Sequence, residues 1–127
     1  MKLPIFIFGE QKLSIRSVPS FIALALLNLI NNSLKHGFDN TGNGKITLTV
    51  EKGAKNGAKI TYKDDGKGMD KTVLKQVFTP FFTTRKDRGY VGVGMSTTHD
   101  LIKNKLGGDI KIESQVGKGT TVIITLP

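Results

Sequence analysis

The chain has 127 residues, which makes one domain with room for a core. Its apolar share of 38%, taken with 15 glycines, is ordinary for a globular protein and argues against a disordered chain. There is no cysteine, which excludes a disulfide framework, a thiolate nucleophile and a thiolate metal site; the formal charge of +9 leaves nucleic acid, an anionic membrane surface or an anionic small molecule as possible partners.

The apolar run Leu3-Pro4-Ile5-Phe6-Ile7-Phe8 is too short to span a bilayer and lacks a small-residue cleavage site, so it reads as an N-terminal strand. Leu13–Ile15 reads as a second short strand, reached through Gly9. Ser17-Val18-Pro19 is a helix start with proline in the first turn, and the helix runs to about His36, where Gly37 stops it. At about 100° per residue, Ala23, Leu26, Ile30 and Leu34 fall on one side of this helix and Asn28, Asn32 and Lys35 on the other. The first set is expected to be buried. The second carries neutral oxygen ligands suited to Mg²⁺ beside an ammonium suited to phosphate, which reads as a site for a metal-bound polyphosphate. His36 serves equally as a cation at the helix end or as a ligand contact.

Phe38–Gly44 is a polar loop. Ile46, Leu48 and Val50 alternate with polar residues, as do Ala58, Ile60 and Tyr62 after the turn at 53–57, which predicts an antiparallel hairpin. Asp64-Asp65-Gly66-Lys67-Gly68-Met69 follows directly. Two glycines there permit close approach of a ligand to backbone, and an aspartate at a strand end can accept from an exocyclic amine such as that of adenine; taken alone, the motif reads first as a plain Asp-Gly turn. Asp70 caps a short helix carrying Val73, Leu74, Val77 and Phe78.

Thr79–Val91 has no apolar period and is expected to be a mobile surface loop. Within Phe78-Thr79-Pro80-Phe81-Phe82-Thr83-Thr84-Arg85, three phenylalanines need somewhere to dock. They form either a plug on the core or the base of a lid whose cations reach phosphate. Gly89-Tyr90-Val91-Gly92-Val93-Gly94-Met95 opens the next helix, from about Val93 to Leu106, ended by Gly107-Gly108. Its start is either a flexible cap or a set of amides for phosphate. It matches neither a P-loop nor the dinucleotide fingerprint. His99 lies mid-helix and is expected on the surface. Ile110 and Ile112 start a strand, Val116–Gly119 turns, and Thr120–Leu126 closes with Val122, Ile124 and Leu126 on one face.

The lysines Lys45, Lys52, Lys55, Lys59, Lys63, Lys111 and Lys118 are scattered over turns and strands, which reads as solvated edges rather than a nucleic-acid surface. The sum is an α/β protein, a two-layer sandwich with a mixed, largely antiparallel sheet on about three helices, in a single domain over residues 1–127. One helix, between Leu13–Ile15 and Ile46–Val50, is placed for a crossover.

In this order the motifs are specific. From roughly Leu13 to Pro127 the chain resembles the catalytic ATP-binding domain of sensor histidine kinases, within the ATPase superfamily of DNA gyrase, ninety-kilodalton heat-shock chaperones and MutL proteins (the Bergerat-type fold). Asn28–His36 resembles the N box, Asp64–Gly68 the first glycine box, Val77–Thr84 the phenylalanine box, Gly92–Met95 the second glycine box, and Gly117–Thr121 running into Leu126-Pro127 the closing strand. The resemblance implies ATP and Mg²⁺ as cofactors. It implies Asn32 on the metal, Asn28 near metal or phosphate, Lys35 on phosphate, and His36 near ribose and base. Asp64 would accept from the adenine amine, with Gly66, Gly68 and Met69 walling the base, Phe81 near it, and Thr120 supporting it. Thr83, Thr84, Arg85, Lys86 and Arg88 would belong to a short lid over the phosphates, and Gly92, Val93, Gly94 and Met95 would bring amides to them. Tyr90 departs from the family, standing where a first glycine is usual and expected to pack on the base or on Phe81.

The resemblance further implies γ-phosphoryl transfer to a histidine on a separate helical-hairpin domain that this sequence lacks, a downstream response regulator, and a homodimeric parent, cytoplasmic here and anchored in the inner or plasma membrane. This portion itself is expected to contact neither nucleic acid nor membrane. Gyrase-like hydrolases carry a glutamate where Asn28 stands, so slow hydrolysis is expected. An anti-sigma-factor-type Ser/Thr kinase shares the fold and is the first alternative; a non-catalytic nucleotide- or nucleic-acid-binding module is the second.

Overall fold

The computed structural model describes residues 5–9, 19–38, 44–53, 57–79 and 94–127. Five strands, β1 (Ile5–Gly9), β2 (Ile46–Lys52), β3 (Ala58–Asp64), β4 (Asp109–Gln115) and β5 (Gly119–Leu126), form one sheet in the order β1-β2-β3-β5-β4. β1 pairs with β2 in parallel and every other pairing is antiparallel, so the sheet is mixed and largely antiparallel as expected. The strand that pairs in parallel with β2 before the helix is Ile5–Gly9, and the expected strand Leu13–Ile15 lies outside the described residues.

The period of two sets the inner face. Along β3, Ala58, Ile60, Tyr62 and Asp64 are buried while Lys59 and Lys63 are exposed. Register then stacks Ile60 beside Ile124 and Tyr62 beside Val122, with Ile110 and Ile112 completing the rows from β4. On the outer face Lys59 stands opposite Glu51, and Thr121 lies between Lys63 and Glu113, so charges of both signs interleave.

Among the described residues there are three helices, and two of them supply buried residues to the core on the inner face. Helix α1 (Pro19–Asn32) continues into a π-helical turn over Ser33–Gly37, and α3 (Gly94–Asp100) into one over Leu101–Lys105. Both end through an i to i−5 bond, from Phe38 N to Ser33 O and from Leu106 N to Leu101 O, each 2.8 Å. Gly107, at φ 69°, then turns the chain so that Gly108 N reaches Ile102 O at 2.8 Å. The short α2 (Lys71–Gln76) starts where Asp70 accepts from Val73 N at 2.8 Å.

The buried side of α1 differs from the one the helical wheel suggests. Ala25, Leu29 and Ser33 are buried at 0, 2 and 1%, whereas Ala23 is exposed and Leu26, Ile30 and Leu34 are half-buried. The stripe is rotated by about a quarter turn toward the asparagines. Nearly every residue from Phe21 to Ile30 is apolar, so the sequence supplies little amphipathic contrast to fix the phase, and packing against sheet and α3 fixes it instead. Leu24 and Leu27 are left facing out. Leu29, Ile46, Ile102, Val122 and Ile124 form the centre of the core. Fully burying each such side chain is worth about 1.5–3 kcal/mol.

Candidate functional site

Asp64 is the last inward residue of β3, and register puts it between Ile46 of β2 and Thr120 of β5. It is 4% exposed, so its carboxylate has to be met by donors. Its Oδ1 accepts from Gly66 N at 3.0 Å and Thr120 N at 3.2 Å; its Oδ2 accepts from the Ser33 hydroxyl at 2.7 Å. The last contact spans 31 positions of sequence and brings the end of α1, with Asn32 next to Ser33, against the end of β3.

The glycine-rich loop after Asp64 is tied at both ends. Asp65 Oδ1 accepts from Lys45 N at 2.7 Å, and Asp65 N donates back to Lys45 O at 3.3 Å. At the other end Gly117 N donates to Lys67 O at 2.7 Å, and Met69 N donates to Ser114 Oγ at 2.8 Å. Ser114 also donates to Gly119 O and accepts from the Thr120 hydroxyl, both at 2.9 Å. The loop is thus laid over the β4–β5 turn. Gly68 has φ 71°, and a Cβ there would collide with the Gln115 carbonyl oxygen, so a side chain is excluded on two counts.

Asn28 and Asn32 are half-buried and Lys35 is exposed, so the amides and the ammonium expected at a phosphate site share one accessible side of the helix. Only the backbone of His36 is described. Gly94 is the first residue of α3, but Met95 is 6% exposed within the core cluster. Its side chain packs in the core, which leaves the backbone amide as the group it can offer a ligand. Thr120 supports the carboxylate through its backbone N–H while its hydroxyl pairs with Ser114. Phe78 lies half-buried on the core, its ring centroid 4.8 Å from that of His99, so the half-exposed His99 also packs against Phe78. The lid residues Phe81, Thr83, Thr84, Arg85, Lys86, Arg88 and Tyr90, with Gly92 and Val93, lie outside the described residues.

Three site residues were not found from the sequence: Ser33, Tyr62 and Ser114. Tyr62 had a signal, since its inward alternation continues two residues on to Asp64. Its hydroxyl lies 2.6 Å from Ser33 Oγ and 3.2 Å from Leu29 O. Burial pushes this phenol well above its ordinary value of 10.0; the Ser33 hydrogen bond pulls the other way, and the Asp64 charge adds to the rise. The sign of the stability effect follows. Below 10.0 the phenol is neutral folded and unfolded; above it the unfolded chain ionises while the buried group does not, so stability falls as pH rises. The slope is about 1.4 kcal/mol per pH unit for one such group. Denaturant titrations from about pH 9 to about pH 11.5 should show wild type losing this increment and Tyr62→Phe lacking it, so that their stabilities converge.

The family described as histidine kinase-, DNA gyrase B- and HSP90-like ATPase matches residues 17–127. The chain belongs to this family. Among curated relatives it is 36% identical to the sensor histidine kinase ZraS of Escherichia coli K12 over 114 residues, covering 89% of this chain and 23% of the relative. It is 34% identical to sporulation kinase E of Bacillus subtilis over 109 residues, covering 86% and 14%. The chain therefore spans less than a quarter of the length of these relatives. The catalytic domain of histidine kinase ThkA shares the fold at a TM-score of 0.82 and 24% identity, over 98% of this chain and 80% of that one. A mycobacterial sensor histidine kinase, MprB, does so at 0.80 and 19%, over 98% and 83%. The family assignment makes this an ATP-binding domain. Among the described residues no helix is long and apolar enough to cross a membrane.

Proposed function

We propose that residues 1–127 are the single catalytic ATP-binding domain of a longer sensor histidine kinase, holding Mg-ATP for γ-phosphoryl transfer to a histidine on a separate helical hairpin. The observation that carries this reading is the buried Asp64 carboxylate, fixed by Gly66 N, Thr120 N and Ser33, which among the described residues leaves a position on Oδ2 for an exocyclic amine. The half-buried Asn32 amide is suited to hold Mg²⁺, Asn28 stands beside it, and exposed Lys35 is suited to a phosphate. Bound Mg²⁺ would neutralise phosphate charge; the chain's own part is positioning. Asn28 supplies no general base to an attacking water, so the bound nucleotide is spared for an acceptor. The reading extends to a dimeric parent with a sensor segment that anchors it in a membrane, and to a response regulator that receives the phosphoryl group from the hairpin.

The test mixes the domain with the hairpin domain of its own full-length protein and γ-labelled ATP. Label should appear on the hairpin as acid-labile phosphohistidine. Asn32→Ala should weaken Mg-ATP binding at least about tenfold, the scale on which metal-site partners act, with an unchanged circular dichroism spectrum. Acid-stable phosphoserine instead would identify the Ser/Thr kinase alternative.

A further inference from the structure

Resting on the ATP reading above, we propose that Ser33 is a positioning residue for adenine recognition, fixed by the Tyr62 hydroxyl and fixing in turn the Asp64 oxygen that meets the exocyclic amine. The three side chains are 1, 3 and 4% exposed, so their hydrogen bonds form out of water, where they are strong and a missing partner is costly.

Donor and acceptor roles follow from proton counting. An ionised carboxylate only accepts, so the 2.7 Å contact uses the one hydrogen of Ser33. The Ser33 oxygen then has to accept from Tyr62 at 2.6 Å, which a phenol held neutral by burial can satisfy; the 3.2 Å contact of the same hydroxyl to Leu29 O is the longer branch. The relay runs from Tyr62 to Ser33 to Asp64, each link polarising the next. A carboxylate has about four acceptor positions. Among the described residues, Gly66 N and Thr120 N take two on Oδ1 and Ser33 takes one on Oδ2. One remains on Oδ2, and it fits one amine hydrogen. A 6-oxo purine would set oxygen against oxygen there. Without Ser33 the carboxylate is held on one oxygen only, and the acceptor is no longer aimed.

The test separates a role in recognition from a role in packing. Affinities of the domain are measured for Mg-ATP and for the Mg complex of purine riboside triphosphate, which lacks the exocyclic amine. Ser33→Ala should weaken ATP roughly tenfold, the loss of one hydrogen bond to a charged group, and shift the amine-free analogue by no more than about twofold. Tyr62→Phe should cost less than Ser33→Ala and again only for ATP. If Ser33→Ala does not fold, Ser33→Cys, close in size and a weaker donor, should show the same selective loss at smaller size. An equal loss for both nucleotides, or none for either, overturns the inference while leaving the ATP reading intact. Failure of the wild-type domain to bind either nucleotide overturns both.

Discussion

Asp64→Asn should remove ATP binding at nucleotide concentrations that saturate the wild-type domain while leaving the domain folded. The fold survives because the asparagine oxygen can still accept from Gly66 N and Thr120 N, and its amide nitrogen can donate to Ser33 Oγ. On the proposed role of Asp64, recognition does not survive, because the atom meant for the adenine amine becomes a donor. The change removes a hydrogen bond to a charged group, about 1.5–3 kcal/mol, and sets two donors against each other. A loss of about a hundredfold or more in affinity follows. Inosine triphosphate, which presents an oxygen at the same place, should lose far less than ATP. Calorimetric titration of both nucleotides, with thermal melts as a fold control, reads the result. Undiminished ATP affinity would mean that the base is recognised elsewhere.

Gly119→Ala is the second large effect, and here the fold itself gives way. Gly119 opens β5 at φ 85°, and a Cβ there would collide with the Asp64 carbonyl oxygen and lie 3.0 Å from Asp65 Cα, both backbone atoms. Forcing an L residue into this conformation costs about 1–2 kcal/mol, and overpacking adds about 1–3. The sum is a large part of the total stability of a small domain. Gly117→Ala is the control. It shares the strain, at φ 82°, but a Cβ there meets nothing within 4 Å. Urea midpoints should therefore fall modestly for Gly117→Ala and severely for Gly119→Ala, with nucleotide binding lost only in the second. Equal losses would show that strain alone, and not the close approach of β5 to Asp64, sets the cost.

Most elements could be read from local pattern. The alternation of Ile46, Leu48 and Val50 with Ala58, Ile60 and Tyr62 is a paired hairpin in the register drawn by Leu48 and Tyr62. Asp70 caps its helix, Gly107 turns the chain after the π-helical turn that follows α3, and Val122, Ile124 and Leu126 face the core. Asp64 was singled out by its place between a strand and two glycines. The phase of α1 is not legible in the sequence because that helix is apolar on nearly every side, and the contact of His99 with Phe78, 21 positions away, lies beyond any local window.

The sequence by itself determined the order of strands and helices, the turns and caps between them, and the family motifs Asn28–His36 and Asp64–Gly68, because periodicity and turn chemistry act within a few residues. Only the tertiary structure decided what Asp64 can do. Its donors lie at Ser33, Gly66 and Thr120, and the 31- and 56-residue separations of the outer two are set by sheet register and by how α1 lies on the sheet. A buried carboxylate is defined by the donors around it, and those donors are neighbours in space alone.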